Sequence, residues 1–340
     1  MKICLVTDAW KPQINGIVTT LTTLVDQLRK EGHSVEIVHP GLFSNFPMPY
    51  YNEVEVPWNY FRARSVCKKA IDNADMVHIA TEGPLGVIAR LYCHKHDVKY
   101  ITSYHNKLPE HVHARYPNIS IERGYKVMRW MHKRAERVLV TTKTMMGELD
   151  SWGISNTVVW NRGVDIDKFR PKNGLRNDKE TKLIGYVGRV NIDKNMEAFF
   201  ALPDYLGEKI VIGDGPAKAE YEAKYPKVHF TGFRTGEDLV NAYNQLSVMV
   251  FPSLTDTFGL VNIESMACGT PVAAFPVTGP VDIIDNGVTG YMSEDLEEAV
   301  KQCLQIDRKQ CRIQVCDRFS WDSVTRVFLE VAEDINGSTT

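Results

Sequence analysis

The sequence lacks a long apolar run and has no Cys-x-x-Cys pair. No stretch approaches the roughly 18 apolar residues that span a bilayer, and Ile3–Val6 is too short for the core of a signal peptide. The seven cysteines are odd in number, which excludes a secreted disulfide framework and a zinc ribbon and favours buried thiols. These absences predict a soluble cytoplasmic protein and leave open a peripheral contact with the inner face of a membrane.

Charge of one sign is not in excess over the whole chain, because 40 Lys and Arg nearly balance 42 Asp and Glu. The two halves differ, however. Residues 1–170 hold 23 basic and 17 acidic side chains, whereas residues 171–340 hold 17 and 25. A hydrophobic content of 44% excludes a disordered or fibrous protein, and a length of 340 residues predicts about two domains.

Short apolar runs alternate with amphipathic stretches along the whole chain. The predicted strands are Lys2–Val6, Ser34–Val38, Asp75–Ile79, Lys99–Ser103, Arg137–Thr141, Thr157–Trp160, Leu183–Val187, Lys209–Ile212, Val228–Thr231, Val248–Phe251 and Pro271–Phe275. Such runs are typical of strands buried on both faces, with room for crossover helices between them, so they predict an α/β fold.

Eleven strands exceed a comfortable single sheet, and the polar segment Val164–Thr181 predicts a linker. We therefore expect two Rossmann-like, doubly wound parallel-sheet domains that face each other across a cleft. The expected bounds are 1–170 and 171–318, with a C-terminal helix over 319–340 that packs back on the first domain.

Two segments stand outside this pattern. Pro40–Phe61 has four prolines and seven aromatic residues and predicts a long loop, either packed by its own side chains or forming a wall of an acceptor site. The stretch 121–138 predicts a helix with an apolar face and a basic one. The apolar face is formed by Val127, Trp130, Met131, Ala135 and Val138, and the basic face by Arg123, Lys126, Arg129, Lys133 and Arg137. That basic face either is solvated or contacts anionic lipid.

The first candidate site is the turn after the first predicted strand, which ends in Asn15 and Gly16. It opens a helix over 18–30, so backbone N–H groups of a helix N-terminus would point into the cleft. The turn lacks the G-x-G-x-x-G spacing of a dinucleotide fold, which argues against a dehydrogenase. A plain turn glycine is the alternative for Gly16.

The second candidate site follows the first strand of the second half. Gly188 and Arg189, with Lys194 five residues later, offer two cations where a diphosphate would lie. A salt bridge at a helix start is the alternative. The next strand ends in Gly213-Asp214-Gly215-Pro216, which favours close approach of backbone to a nucleotide, although Asp-Gly is also a common turn.

The third candidate site is the segment 251–272, in which Asp256 and Glu264 are separated by seven residues. A helix that begins near Phe258 would leave the amides of residues 258–261 without partners in the helix, and its dipole favours a phosphate by roughly 0.3–1 kcal/mol. Those residues are Phe258, Gly259, Leu260 and Val261. An N-cap role for Asp256 or Thr257 is the alternative.

These motifs together resemble glycosyltransferase family 4, a family of retaining nucleotide-sugar transferases with the GT-B fold. The resemblance rests on D-T-F-G-L-V-N-I-E at 256–264, G-R-V-N-I-D-K at 188–194, G-D-G-P at 213–216, N-G-I at 15–17, H-I-A-T-E-G-P-L-G at 78–86, T-S-Y-H at 102–105 and R-G-V-D at 162–165. It covers nearly the whole chain. The family usually has Glu where this chain has Asp256, a difference that bears on sugar preference.

The resemblance implies roles for these residues. Arg189 and Lys194 would neutralise the donor diphosphate, Glu264 would accept hydrogen bonds from the ribose, and Asp256 would hold the donor sugar. The amides of residues 257–261 would bind phosphate, with Gly16, Gly188, Gly213, Asp214 and Gly215 lining the donor. His105 would orient a sugar hydroxyl, and Asp8, Asn15 and Glu82 are candidates on the acceptor side.

The sequence favours a site without a metal or a separate cofactor and predicts no nucleic-acid partner. Asp165-Ile166-Asp167 matches a D-x-D metal signature, but its place in the polar linker argues against metal binding. The expected function is retaining transfer of a hexosyl group from a UDP- or GDP-sugar to a hydroxyl of a glycan or lipid. A nucleotide-sugar epimerase and a non-catalytic nucleotide-binding protein are the alternatives.

Overall fold

Two parallel six-stranded sheets organise the chain in the computed structural model, which describes residues 1–13, 15–48, 51–105, 107–172, 182–254 and 258–337. Within these ranges the side chains of 51–54 and 114 are left aside. The chain divides into two units, one of Met1–Asn161 with Val324–Thr340 and the other of Arg162–Ser323. The predicted fold class, two parallel α/β sheets with crossover helices, is confirmed.

The first unit holds a sheet of order β2-β1-β5-β6-β7-β8, in which every pairing is parallel. Its strands and a separate hairpin are β1 (Lys2–Val6), β2 (Ser34–Val38), β3 (Asn45–Met48), β4 (Tyr51–Pro57), β5 (Met76–Ile79), β6 (Ile101–Tyr104), β7 (Arg137–Val140) and β8 (Thr157–Val159). Its helices are α1 (Gly16–Lys30), α2 (Tyr60–Asp72), α3 (Pro84–His96), α4 (Leu108–Arg115), α5 (Ile121–His132) and α6 (Lys143–Ser151).

The helices α2, α3, α5 and α6 cover one face of this sheet. They share a single hydrophobic core that includes Cys67 of α2, Ala89 of α3, Met128 of α5 and Met145 of α6. This placement follows from right-handed crossovers, because consecutive parallel strands that step in one direction put their helices on the same face.

The second unit holds a sheet of order β11-β10-β9-β12-β13-β14, also parallel throughout. Its strands are β9 (Leu183–Val187), β10 (Glu208–Ile212), β11 (His229–Phe230), β12 (Val248–Phe251), β13 (Val272–Ala274) and β14 (Gly290–Met292). Its helices are α7 (Met196–Phe200), α8 (Lys218–Lys224), α9 (Gly236–Gln245), α10 (Leu260–Ala267), α11 (Pro280–Ile283), α12 (Leu296–Cys303) and α13 (Arg308–Phe319). A last helix, α14 (Trp321–Gly337), continues into the first unit.

Both faces of the second sheet are buried. Val250 packs in a core with α7, α8 and α12, while its neighbour Met249 packs in another with α9, α10 and α13. Alternate residues of a strand point to opposite faces, so a strand covered on both sides has to be apolar throughout. This is why the apolar runs predicted most of the strands well.

Each sheet reverses its strand order once, and ligands of open α/β sheets bind beyond the carboxyl ends of the strands at such a reversal. In the first unit the reversal lies between β1 and β5, and in the second between β9 and β12. The residues that follow β1, β5, β9 and β12 are therefore the ones best placed for chemistry.

Several local expectations were wrong. The segment 40–61 is not one long loop, since β3 and β4 pair as an antiparallel hairpin and α2 begins at Tyr60. The strand β14 was not predicted, and its three residues are too few to show a period. Six cysteines are buried free thiols as predicted, and Cys316 is half-buried.

The first residues of the predicted linker, from Val164 to Phe169, pack in the second unit, so this part of the segment is not a free linker. Val164 donates its N–H to the carbonyl of Phe319 at 2.8 Å, and Phe169 is buried with its ring 6.0 Å from that of Tyr243. The first unit accordingly ends at Asn161, before the expected bound of 170. Of the linker itself, residues 173–181 lie outside the described ranges.

Candidate active site

Asp8 follows β1 and binds the start of α3. Its Oδ1 accepts from the N–H of Leu85 at 2.7 Å, and its Oδ2 accepts from the Thr81 hydroxyl at 2.8 Å and the N–H of Gly86 at 3.3 Å. Burial raises the pKa of Asp8 to about 6, although these hydrogen bonds lower it. Both oxygens of this predicted acceptor-side residue thus cap a helix, and they fix the loop that carries Glu82.

Glu82 follows β5, and its side chain is 15% exposed. Its Oε1 lies 3.4 Å from Nε2 of His132, a buried residue in the last turn of α5. Nδ1 of the same imidazole lies 2.8 Å from the Thr102 hydroxyl. His132 was not predicted as a site residue. No local pattern marks it, because it lies in a helix whose sequence shows only an apolar face and a basic face.

His105 follows β6 and is buried, with its ring 6.4 Å from that of Trp160. Trp160 donates from Nε1 to the carbonyl of Val324 at 3.1 Å, so α14 helps to hold this ring. His78, the first residue of the H-I-A-T-E-G-P-L-G motif, contacts the Ser103 hydroxyl at 2.6 Å, and burial lowers its pKa to about 3. His78 is therefore a neutral residue of the core.

Asn15 is the N-cap of α1. Its Oδ1 accepts from the N–H groups of Ile17 and Val18, each at 3.0 Å, and Gly16 is the first residue of the helix. The predicted helix start at Val18 therefore lies two residues late. Capping satisfies two of the amides that the end of a helix leaves without partners.

In the second unit the loops after β9 and β10 interlock. Val190 donates its N–H to the carbonyl of Asp214 at 2.9 Å, and Gly188 donates to Ile212 at 3.1 Å. A Cβ on Gly213 would lie 1.8 Å from the carbonyl oxygen of Gly188, so only glycine fits there. The glycine of G-D-G-P is thus required by the contact between the two loops.

Two cations stand on the loop after β9. Arg189 is exposed, and its guanidinium makes no hydrogen bond or ion pair with any residue in the described ranges. Lys194 ends a short 3-10 helix, Ile192–Lys194, and its Nζ lies 3.6 Å from Asp193 Oδ2. Both positive charges therefore lie on the loop at the strand-order reversal. The contact between Lys194 and Asp193 is the salt bridge at a helix start that was the alternative, and diphosphate binding stays a prediction.

The helix α10 begins at Leu260, two residues later than expected. Gly259 precedes it with φ of +78°, a left-handed conformation that favours glycine. Phe258 was expected to supply an amide to the donor, but its side chain is buried against Phe319, with ring centroids 6.0 Å apart. Leu260 and Val261 are the first residues of the helix and half-buried.

Glu264 is half-buried on α10, where its Oε2 accepts from the hydroxyl of Tyr243 at 2.8 Å. Burial raises the pKa of Glu264 to about 7, and the Tyr243 hydrogen bond and the charge of Lys168 oppose that rise. Tyr243 comes from α9 and is fully buried. Tyr243 was not predicted as a site residue, because in the sequence it cannot be told apart from other residues on the buried face of a helix.

The remaining predicted donor residues Asp256 and Thr257 lie outside the described ranges. Asp165 of the D-x-D signature accepts at Oδ1 from the N–H groups of Asp167 and Lys168, at 3.1 and 2.9 Å. It therefore acts as the first residue of a turn. The expectation of a site without a metal stays a prediction.

The helix predicted over 121–138 ends at His132, and Arg137 and Val138 belong to β7. Its predicted apolar face was partly right. Met131, Ala135 and Val138 are buried, whereas Val127 and Trp130 are 55% and 44% exposed. Across the described ranges, no helix has both the length and the apolarity needed to cross a bilayer.

Comparison with known proteins shows the family of the chain. A family model described as Glycosyltransferase Family 4 matches residues 14–168, and one described as Glycosyl transferases group 1 matches residues 181–307. Sulfoquinovosyl transferase SQD2 of Arabidopsis thaliana is 27% identical, over 92% of this chain and 69% of its own. A GDP-mannose-dependent alpha-mannosyltransferase of Corynebacterium glutamicum is 24% identical, over 86% of this chain and 76% of its own.

Among solved structures, that of Anabaena HepE in complex with UDP superposes with a TM-score of 0.73 at 16% identity, covering 98% of this chain and all of that one. At that identity the likeness shows the fold. Together, the two family models cover most of the chain, and the named relatives are transferases of sugars. The chain is therefore a glycosyltransferase of the family 4 type, with the two Rossmann-like domains of the GT-B fold.

Proposed function

We propose that this glycosyltransferase moves a hexosyl group from a UDP- or GDP-sugar to a hydroxyl of a glycan or lipid, with retention of the anomeric configuration and without a metal ion. The observation that carries the proposal is the pair of cations, Arg189 and Lys194, on a loop whose backbone is locked by the loop after β10. A GDP-mannose-dependent relative and a UDP-bound structural neighbour support this class of donor.

The chemistry of transfer matches these residues. Breaking the anomeric C–O bond passes through an oxocarbenium-like state and puts negative charge on the departing diphosphate. Arg189 and Lys194 supply positive charge at that point, and the first amides of α10, at Leu260 and Val261, add the positive end of a helix dipole.

Glu264 holds the nucleoside part of the donor in this proposal. Its Oε2 is engaged by Tyr243, which leaves Oε1 of the same carboxylate to accept from the ribose hydroxyls. Asp256 holds the donor sugar, as the family resemblance implies. Retention follows from attack on the same face of the sugar, with the departing phosphate taking the acceptor proton.

The acceptor side belongs to the first unit. Glu82 and His105 follow neighbouring strands, β5 and β6, and are the side chains proposed to orient the acceptor hydroxyl. Asp8 and Asn15 contribute indirectly, since each caps a helix that begins there. The exposed cations of α5 provide contact with an anionic surface, and they are Arg123, Lys126, Arg129 and Lys133.

The proposal is tested by Arg189→Ala and Lys194→Ala. A panel of UDP-, GDP- and ADP-sugars first identifies the donor by thermal shift, since a ligand at 100 times its Kd adds about 2.7 kcal/mol of stability. Each variant is then expected to lose about 10²-fold in donor-dependent release of nucleoside diphosphate. Lys309→Ala, an exposed cation on α13 of the same unit, is the matched control.

Turnover that survives in both variants would reject the proposed role of the two cations. A panel in which no nucleotide sugar stabilises the protein would reject the proposed donor class. An isomeric nucleotide sugar as the sole product would identify an epimerase instead.

A further inference from the structure

Three aromatic side chains are exposed together where the hairpin passes into α2. Trp58, Tyr60 and Phe61 are 70%, 47% and 79% exposed, and we call them the aromatic tip. Single exposed apolar residues are ordinary on protein surfaces, but three large aromatic residues within four positions are a patch that calls for a partner.

The aromatic tip is held rigidly. The Trp58 indole donates from Nε1 to the carbonyl of Asn45 at 3.1 Å and packs on Phe46, with ring centroids 4.8 Å apart. Asn59 caps α2 by accepting from the N–H of Arg62 at 2.9 Å. The first turn of α2 therefore presents these rings in a fixed arrangement, so that little conformational entropy is lost when a partner covers them.

The helix α2 is anchored behind the tip. Its buried residues, which join the core of the first unit, are Ala63, Cys67, Ala70 and Ile71. The face of α2 that bears Phe61 is thus the face turned away from the sheet. Burying the tip inside this unit would require α2 to leave its core.

Positive charge follows the tip along α2. Between Trp58 and Ile71 the sequence has four cations and no acid, the cations being Arg62, Arg64, Lys68 and Lys69. The first acid, Asp72, pairs with Lys68 at 2.6 Å. Glu55, on the neighbouring strand, accepts from the Asn45 amide at 3.1 Å. Exposed aromatic rings at the start of a helix that goes on with cations match the two layers of an anionic bilayer surface, namely acyl chains below and charged headgroups above.

A second exposed surface lies on the same layer of helices. The guanidinium of Arg90, on α3, lies 3.8 Å from the ring centroid of Trp130 on α5, and Trp130 and Val127 are exposed among the cations of α5. Because α2, α3 and α5 cover the same face of the sheet, a flat partner on that side can meet both surfaces.

We propose that the aromatic tip inserts into the interface of an anionic lipid bilayer, with α5 lying against the headgroups. The inference deepens the proposed function by naming a lipid surface as the place where the acceptor is met. Trp and Tyr favour the boundary between acyl chains and headgroups, where the apolar ring and the polar atom are both accommodated. The cations add attraction that salt weakens.

The test is cosedimentation with vesicles of phosphatidylcholine alone and of phosphatidylcholine mixed with phosphatidylglycerol, at low and high salt. The parent is expected to bind the mixed vesicles, and to bind them less at high salt. Trp58→Ser combined with Phe61→Ser is expected to weaken binding at least about tenfold, which corresponds to about 1.4 kcal/mol. Phe233→Ser, at a phenylalanine of the second unit that is 74% exposed, is the matched control.

Two further variants separate the contributions. Arg62→Gln with Lys69→Gln is expected to weaken binding mainly at low salt. Trp58→Phe is expected to keep binding but to lose the blue shift of tryptophan fluorescence that insertion produces. Circular dichroism melting checks that each variant is folded.

Equal binding of the parent and the Trp58/Phe61 variant would overturn the inference, as would equal binding of the parent to both kinds of vesicle. Light scattering measures the oligomeric state of both proteins. A dimer of the parent that is lost in the Trp58/Phe61 variant would show that the tip is a contact between two copies of the chain, and would also overturn the inference. Thermal shift by the nucleotide sugar, measured without vesicles, reports on the proposed function separately. It is expected to be the same in the parent and in the Trp58/Phe61 variant.

Discussion

The two units differ in which atoms surround the carboxyl ends of their strands. In the first unit, side chains fill the space beyond the strands, where Asp8 caps α3 and His132 faces Glu82. In the second, backbone fills it, because Gly213 lies against the carbonyl of Gly188. A diphosphate is common to the UDP- and GDP-sugars proposed as donors, so a rigid backbone frame would suit it. Acceptors differ, and side chains can be exchanged without changing the fold.

The two buried carboxylates sharpen this contrast. Burial raises the pKa of both Asp8 and Glu264, to about 6 and about 7. Both oxygens of Asp8 accept hydrogen bonds from the start of α3, whereas Tyr243 engages one oxygen of Glu264. Asp8 therefore shapes the fold of the first unit, and Glu264 is left able to accept from a ligand.

The largest expected effect comes from Gly213→Ala. The added methyl would lie 1.8 Å from the carbonyl oxygen of Gly188, so the second unit is expected to lose about 3 kcal/mol of its free energy of unfolding. Hydrogen exchange of β9 and β10 in denaturant measures this loss. The control is Gly147→Ala on α6, where the methyl meets no atom within 4 Å and is expected to stabilise by about 0.5–1 kcal/mol.

Unchanged protection of β9 and β10 in Gly213→Ala would show that the two loops can move apart. The contrast between a backbone-built and a side-chain-built strand end would then fail.

A smaller effect is expected from Tyr243→Phe. The tyrosine hydroxyl lowers the pKa of Glu264, so its removal raises that pKa further above about 7. If Glu264 binds the ribose as the carboxylate, donor kcat/KM rises with pH as this group ionises, and the variant shifts the rise to higher pH. At pH 7 the loss is expected to be roughly tenfold or more, since hydrogen bonds to charged groups contribute about 1.5–3 kcal/mol.

The matched control for that experiment is Tyr225→Phe. Tyr225 also donates to a carboxylate of the second unit, that of Glu197. Glu197 is exposed, Tyr225 is half-buried at the edge of a core, and this pair belongs to no predicted site. Its pH profile should match that of the parent. The same pH profile in Tyr243→Phe as in the parent would mean that Glu264 does not act as the titrating group.

The smallest expected effect tests the pair in the first unit. His132→Gln and Glu82→Gln should each lower the ratio of sugar transfer to donor hydrolysis by up to about tenfold, or about 1.4 kcal/mol. The double variant should lose little more than either single variant, because residues in contact do not contribute additively. Hydrolysis without acceptor should be unaffected, and His111→Gln, at an exposed histidine on α4, serves as the control.

Additive losses in the double variant would show that His132 does not position Glu82. A fall in donor hydrolysis in either variant would place the pair on the donor side and remove the contrast between the units.

Patterns within short stretches predicted much of the fold. Continuous apolar runs predicted strands such as β9 and β12 correctly, because a strand buried on both faces has to be apolar at nearly every position. The face of α5 was partly misjudged because Val127 and Trp130 are apolar yet exposed. Composition alone does not reveal which side of a helix meets the core when its cations and apolar residues lie intermixed.

Some residues of the candidate site could likewise be predicted from local patterns, and others could not. Gly188, Arg189 and Gly213 could be proposed as donor residues because a turn after a strand is a local feature. Asn15 and Asp8 could be proposed as acceptor-side candidates, but the helix ends that they cap become visible only in three dimensions. The aromatic residues of 40–61 were predicted either to pack on one another in a loop or to form a wall of an acceptor site, whereas the hairpin and α2 leave three of them exposed.

By itself, the sequence determined the α/β class, the two-domain organisation and the glycine-rich loops after β9 and β10, since each depends on residues close together in the chain. Only the tertiary structure decided that His132 faces Glu82, that Tyr243 binds Glu264 and that Trp58, Tyr60 and Phe61 are left uncovered. Those contacts join segments brought together by the packing of helices on a sheet. For each such contact the sequence offers many side chains of the right chemical type, and only the packing of the folded chain determines which of them meet.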